Sequence, residues 1–415
     1  MSAEIRTTVC IVGGGPAGMM LGFLLARAQI EVIVLEKHAD FFRDFRGDTI
    51  HPSTLDIMDQ LGLLDELLAL PHQEVRGLGA QIGAATVRIA DFRHVSARCR
   101  FIALMPQWDF LDFIARHGKI FPGFHLAMNT SATDLIYDDA GKIIGVKADT
   151  PHGSQTILAG LTIGADGRHS LVRDKSGLKV EDFGAPMDVL WFRLSRRADD
   201  RGQAFGRLDR GKMLIMIDRG DYWQCGYLIR KGDFDAIRER GIADFRSALL
   251  SLVPYVADRV REIRDWDDVK MLTVVVNRLS TWYRPGLLCI GDAAHAMSPI
   301  GGVGINLAVQ DAVATANILA KTLLDATVCE ADLRAVQRRR EWPTKMTQGL
   351  QIFIQNRLID RILGRDVPFA PPWPMKLLDR WPLLRRLPAQ VVGIGFRPER
   401  VDSVTQPFRN ATKRV

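Results

Sequence analysis

Three glycine-bearing turns hold most of the residues in this chain with chemistry to offer. The first, Gly13-Gly14-Gly15-Pro16-Ala17-Gly18, follows an apolar, β-branched run over residues 8–12. With this spacing Gly13 permits a tight bend, Gly15 leaves room for a pyrophosphate beside the backbone, and Gly18 lets helix and strand pack closely. The helix that opens here, over residues 19–28, aims its positive dipole end at the phosphates. A second apolar run, residues 31–35, ends at Glu36, where a carboxylate can hold a ribose diol. Strand, glycine turn, helix, strand and terminal acid predict a bound dinucleotide.

The second turn, Gly164-Ala165-Asp166-Gly167-Arg168, ends the apolar run 158–163. Asp166 at a strand terminus can cap the turn that follows, and Arg168 and Arg173 bring positive charge towards a phosphate-bearing ligand. The third, Gly291-Asp292-Ala293-Ala294-His295, continues through Pro299, Gly301, Gly302 and Gly304 to Asn306. Here Asp292 can accept a hydrogen bond from a sugar-alcohol hydroxyl. The glycines offer backbone N–H groups to an electron-rich ring edge at the start of a helix. His295 is read as structural rather than as a base.

These turns need elements to place them. The βαβ unit at the N-terminus requires a parallel sheet, so the fold class is α/β, built on a Rossmann-like domain. Helices are expected over 51–64 and 109–117, with hairpin strands over 132–148 around Asp138-Asp139-Ala140-Gly141. From about 180 to 276 the texture turns β-rich, with strands near 189–194, 213–217 and 223–229 and a helix near 242–252. Residues 287–290 restore the apolar strand pattern and an Ala-rich helix covers 309–324, so the first domain is discontinuous. The division is 1–175 for its first part, with strands of a mixed β-sheet substrate domain inserted near 71–105; 176–277 for that domain; 278–330 for the return segment; and 331–415 for C-terminal helices.

Composition limits the function classes. Of 415 residues 47% are hydrophobic and 25% charged, the balance of a globular protein, which excludes disorder, collagen and disulfide scaffolds. Five scattered cysteines with no CxxC pair imply a reducing compartment and no structural zinc. No signal peptide and no transmembrane run are read, so the expected location is cytoplasmic. The net charge of +7 is dispersed, which argues against nucleic acid as a partner.

Taken together, the three motifs resemble the single-component flavin-dependent aromatic hydroxylases, the class of p-hydroxybenzoate hydroxylase and the ubiquinone-biosynthesis monooxygenases, over roughly residues 8–324. The resemblance implies a bound FAD, with Gly13, Gly15, Pro16, Ala17 and Gly18 at the pyrophosphate and Glu36 with Lys37 at the adenosine end. It places Arg46 and Gln107 near the phosphates and ribityl chain, and Asp292 on the ribityl. Pro299, Gly301, Gly302, Gly304, Ile305 and Asn306 lie along the isoalloxazine ring. Asp166 is linked in that family to both FAD and NAD(P)H, and the pyridine nucleotide is a transient visitor. The implied reaction is hydroxylation of an aromatic or polycyclic substrate by dioxygen through a flavin 4a-hydroperoxide, with backbone at Pro299 and Gly301 beside the peroxide.

Strand alternation offers Trp191, Arg193, Met213, Ile215 and Tyr222 as substrate contacts, with Gln224 and Tyr227 beside them and Arg193 or Arg219 for an acidic group. No side-chain base is assigned. Alternatives kept open are a flavin-dependent reductase of isoprenoid double bonds and a non-catalytic flavin-binding protein; a halogenase is disfavoured because its WxWxIP motif is absent. The segment 374–387 mixes large apolar and basic residues and reads as a packed helical cap, with membrane-surface contact or a homodimer contact as the other readings.

Overall fold

The computed structural model describes residues 4–42, 49–200, 206–325, 327–359, 362–363 and 370–402. Its frame is an eight-stranded sheet in which Leu287–Cys289, Gly153–Gly164, Glu4–Val12, Val32–Leu35 and Phe124–Ala127 lie side by side in parallel. The strands Ser131–Tyr137 and Ile143–Thr150 extend it as an antiparallel branch from Gly153–Gly164. The apolar runs over residues 9–12 and Val32–Leu35 are buried throughout and fit strands covered on both faces. The covering helices include Pro16–Arg27 and Gly304–Asp325, which pack on one another.

Register decides the rest. Val12 is paired with both Gly164 and Leu35, and Gly164 with Cys289, so four strands end level. The three glycine turns and Glu36 therefore emerge along one edge, the carboxyl end of a parallel sheet, where such folds bind ligands.

A second, seven-stranded sheet runs Lys270–Leu272, Met187–Ser195, Tyr222–Arg230, Lys212–Asp218, Gly206–Asp209, Gly77–Ile82 and Ala85–Asp91. The last two strands come from far earlier in the chain. One face buries Leu190, Phe192, Leu214, Cys225 and Tyr227 against Phe245 and Leu249 of the helix Ile242–Leu252. The opposite face, with Trp191, Met213 and Ile215, turns towards the first domain. Asp200 is sealed behind this sheet, where it accepts from the Arg259 guanidinium and from Trp223 Nε1 at 2.9 Å.

Two expectations need correction. The helix predicted over 51–64 is two helices, Pro52–Gln60 and Leu64–Leu68, because Gly62 turns left-handed (φ +74°) and ends the first. Tyr227 faces the helical core beside Phe245, not the substrate side. The long helix ending at Asp325 is apolar enough to cross a membrane by length and composition, but most of it is buried inside the protein. All five cysteines are free, and burial pushes the Cys10 thiol up to about 12, which leaves it inert.

Arg259→Met would strand the buried Asp200 carboxylate. The expected loss is about 3–5 kcal/mol of stability, read as a lower denaturant midpoint; a loss below about 1 kcal/mol would mean that the pair behaves as an exposed one.

Candidate functional site

The first turn is built on backbone contacts that only glycine allows. Gly13 sits at φ +110°, and a Cβ there would lie 2.4 Å from the Ala165 carbonyl oxygen. A Cβ on Gly18 would lie 2.0 Å from the Gly13 oxygen. Gly15, in contrast, is extended, and among the described residues nothing lies within 4 Å of its Cβ position, so none of them fills the space above the helix start. Pro16 occupies the first helical position, where its missing N–H is no loss. Ala17 touches Gly291 of the third turn, 3.1 Å from a Cβ built there, which brings the two turns together.

Glu36 is buried, with Oε2 accepting from the Gly14 N–H at 3.1 Å and Oε1 from the His38 N–H at 3.1 Å. These two bonds hold the side chain in place at the end of the strand Val32–Leu35. Lys37 beside it is exposed. Gln107 opens the helix Gln107–Gly118 and is half-buried. Arg46 lies outside the described residues.

Asp166 serves the chain itself. It accepts from Ser170 Oγ and from the Val172 N–H at 3.1 Å, so it caps the helix Leu171–Ser176; burial raises its carboxyl above the usual range against those hydrogen bonds. Arg173 is buried and donates to the Arg168 carbonyl at 2.8 Å, so it does not reach towards a phosphate. Arg168 donates to the Thr273 carbonyl at 3.3 Å, a link to the segment that follows an edge strand of the second sheet.

The third turn carries Asp292 half-buried, with no side-chain hydrogen bond or ion pair among the described residues. Its neighbours are locked. Asp311, fully buried on the helix Gly304–Asp325, accepts from the Gly291 N–H at 3.0 Å, from His295 Nε2 at 2.6 Å and from Arg340 Nε at 2.9 Å. Burial works to raise the Asp311 carboxyl, but His295 and Arg340 outweigh it and hold it below the ordinary range. Arg340 continues to Glu399, which also takes a bidentate pair from Arg339 at 2.8 and 2.9 Å. His295 is thus a buried structural partner, its ring tilted against Trp282 with centroids 4.9 Å apart.

Beyond it, Gly301 (φ +79°) and Gly302 (φ +64°) both turn left-handed. Thr49 Oγ1 donates to the Gly302 carbonyl at 2.7 Å. The Asn306 side chain accepts from the His51 N–H and Thr54 Oγ1 and donates to the Thr49 and Gly302 carbonyls, so it is used within the protein. The backbone N–H groups of Gly304, Ile305 and Asn306 stand in the first helical turn, without intrahelical partners. From behind, glutamines of the helix Glu330–Ile354 and the turn after it hold the loop: Gln348 donates to the Ala296 carbonyl, Gln351 to those of Ser298 and Ile300, and Gln355 to Ser298 Oγ.

Pro299 leads into Ile300, and Ile300 packs in one apolar cluster with Val189, Leu228, Trp191, Met213 and Ile215. The third turn thereby meets the open face of the seven-stranded sheet. Trp191 lies over Gly226, whose Cβ position is 3.1 Å from the indole. Arg193 is exposed and stacks on Tyr222 at 4.9 Å, at the rim. Arg219 Nε donates to the buried Gln224 Oε1 at 3.2 Å at the end of the same face. Sequence reasoning missed Asp311, Arg340 and the glutamines. Their signal is polar residues recurring on buried faces of long helices.

The family model described as FAD binding domain matches residues 6–349. The 6-methylpretetramide 4-monooxygenase of Streptomyces rimosus is 30% identical over 384 residues, covering 92% of this chain and 90% of its own. Para-nitrophenol 4-monooxygenase of a Pseudomonas strain is 24% identical over 81% of this chain and 84% of its own. The crystal structure of pqsL, titled a probable FAD-dependent monooxygenase from Pseudomonas aeruginosa, superposes with a TM-score of 0.73 at 22% identity, over 86% of this chain and 97% of that one; it shows the shared fold.

Two outcomes follow from the geometry. Asp292→Ala should weaken flavin binding roughly tenfold or more, measured by titrating deflavinated protein and following flavin fluorescence; an unchanged Kd would place the contact elsewhere. Because the folded Asp311 pKa lies below its unfolded value, its stabilisation is complete above about pH 4 and fades as pH falls through the folded pKa. Asp311→Asn should therefore flatten the acid limb of a Tm-against-pH profile, and an unaltered limb would remove Asp311 from that role.

Proposed function

We propose that this chain, which belongs to the FAD binding domain family and is an FAD-dependent monooxygenase, hydroxylates an aromatic or polycyclic substrate with NAD(P)H as reductant and dioxygen as oxygen donor. The observation that carries this reading is the meeting, at Ile300, of the third glycine turn with the flat apolar sheet face of Trp191, Met213 and Ile215. A cofactor edge on one side and an apolar wall on the other make a slot suited to a planar ring.

The residues fit FAD. Open backbone at Gly15 leaves room for a pyrophosphate at a helix N-terminus, Glu36 is positioned for the adenosine ribose, and Asp292 has free acceptors for the ribityl hydroxyls. The N–H groups of Gly304, Ile305 and Asn306 are placed for the polar edge of the ring system. When bound and reduced, the flavin supplies the oxygen-activating chemistry. The protein's share is exclusion of water and orientation: the apolar face keeps the slot dry, and the paired Arg219 and Gln224 can take one anionic or phenolic group of the substrate.

Asn306 contributes by position. Its side chain fastens residues 49–54 to the start of the helix, which fixes the backbone donors before any ligand arrives. NAD(P)H would dock transiently, since the chain has one glycine turn of the dinucleotide type. Five free cysteines support a reducing, cytoplasmic location.

The test is product mass spectrometry on a panel of phenols, quinolones and polyketide aromatics with NADH or NADPH under isotopically heavy dioxygen. A gain of one labelled oxygen atom is expected; a hydrogenated product without oxygen uptake, or no flavin reduction with any member of the panel, would reject the reading. Gly226→Val, which forces the Trp191 ring off the sheet, should lower kcat/KM for the aromatic about tenfold with flavin content unchanged.

A further inference from the structure

The wall of the substrate sheet is covered at its far edge by a short helical hairpin, Trp373–Arg380 followed by Pro382–Arg385 and Arg386–Gly393. Its inner side is ordinary core: Met375 packs with Met213, Ile82 and Val87, and Ala389 with Phe92, Ile102, Ile217 and Trp191. Arg385 is buried and fixes the bend by donating to the carbonyls of Leu378, at 2.8 Å, and Asp379. The hairpin is therefore anchored from within.

Its outer side is not ordinary surface. Trp373 is 74% exposed, Leu377 40% and Trp381 57%, one helical turn apart on a single stripe, and Leu383 (66%) and Leu387 (67%) follow. Single exposed apolar residues need no explanation, but five in so short a segment do. Between them stand Lys376, Arg380 and Arg386, all exposed, and among the described residues none of the three has a carboxylate within ion-pair distance. The hairpin's one acid, Asp379, is engaged by Arg385 and by the Arg88 N–H.

That pattern selects the occupant. A second copy of this chain docking face to face would bring unpaired cations against unpaired cations, which costs association. An anionic lipid surface meets both needs at once: its headgroups take the lysine and arginines, and indole and leucine side chains insert at the boundary between headgroups and acyl chains. We propose that this hairpin is a docking face for an anionic membrane surface, on which the protein rests with the edge of its substrate sheet towards the lipid.

The test uses flavin-loaded protein with vesicles of phosphatidylcholine alone and of equal phosphatidylcholine and phosphatidylglycerol, read by flotation and by the tryptophan emission shift. Expected are binding to the anionic vesicles, weakening with added salt, and at least about tenfold weaker binding in Lys376→Glu/Arg380→Glu and in Trp373→Ser/Trp381→Ser, with flavin content and Tm as folding controls. Absence of binding to either vesicle overturns the proposal. So does binding that survives both double variants but is lost with Phe353→Ser, on a different helix. If sedimentation shows a dimer that Trp373→Ser/Trp381→Ser dissolves, with no vesicle binding, the face is a self-interface and the proposal fails. No arm requires turnover, so failure here leaves the hydroxylase reading standing.

Discussion

Backbone-to-backbone approach at the carboxyl edge of the parallel sheet is the constraint on which the structure depends. Gly13 and Gly18 lie so close to the carbonyls of Ala165 and Gly13 that no side chain could be accommodated without moving main chain. Those contacts draw the first helix, the second turn and the first turn into one compact corner. Because the central strands also end in register, Ala17 then reaches Gly291, and the third turn joins the same corner. Three segments far apart in sequence become one cradle through contacts that involve almost no side-chain atoms.

Such a cradle is only as fixed as what stands behind it, and there the protein uses buried charge. Asp311 collects three donors from two segments far apart in sequence: the Gly291 backbone and His295 of the third turn, and Arg340 of the helix Glu330–Ile354. Burying these ions is costly in isolation, and the cost is offset only because every carboxylate oxygen and the guanidinium find partners. The network then runs through Glu399 to Arg339, so residues 397–402 are tied to the floor of the third turn. The C-terminal region is accordingly part of the site's foundation rather than an appendage to it.

The cradle was legible in the sequence because its signals are local. Gly13, Gly15, Gly18 and Glu36 sit at fixed offsets within one βαβ unit, and the Asp292 turn follows a strand and opens a helix. The clamp was not legible, since pairing Asp311 with Arg340, or Gln351 with Ser298 and Ile300, requires knowing how two long helices pack. Arg173 shows the opposite failure: charge in a motif suggested a phosphate partner, while burial directs the guanidinium to the Arg168 carbonyl. Alternation along the strands limited the substrate wall to two sets of residues but could not say which set faced the helices. Packing of Phe245 against Tyr227 and Phe192 decides that.

The same alternation makes the wall adjustable. On one strand Leu190 and Phe192 are committed to the helical core while Trp191 between them faces the slot, and two strands along the sheet Leu214 is committed to that core while Met213 and Ile215 are not. Since successive side chains point to opposite faces, a slot residue can change in size without disturbing the helical core on the other face of the sheet. Gly226 shows how fine the adjustment is: its missing side chain is the space into which the Trp191 ring settles. The cofactor corner, made of main chain, admits little variation, and the wall opposite, made of side chains that stand outside the helical core, is where selectivity for one ring system over another can be set.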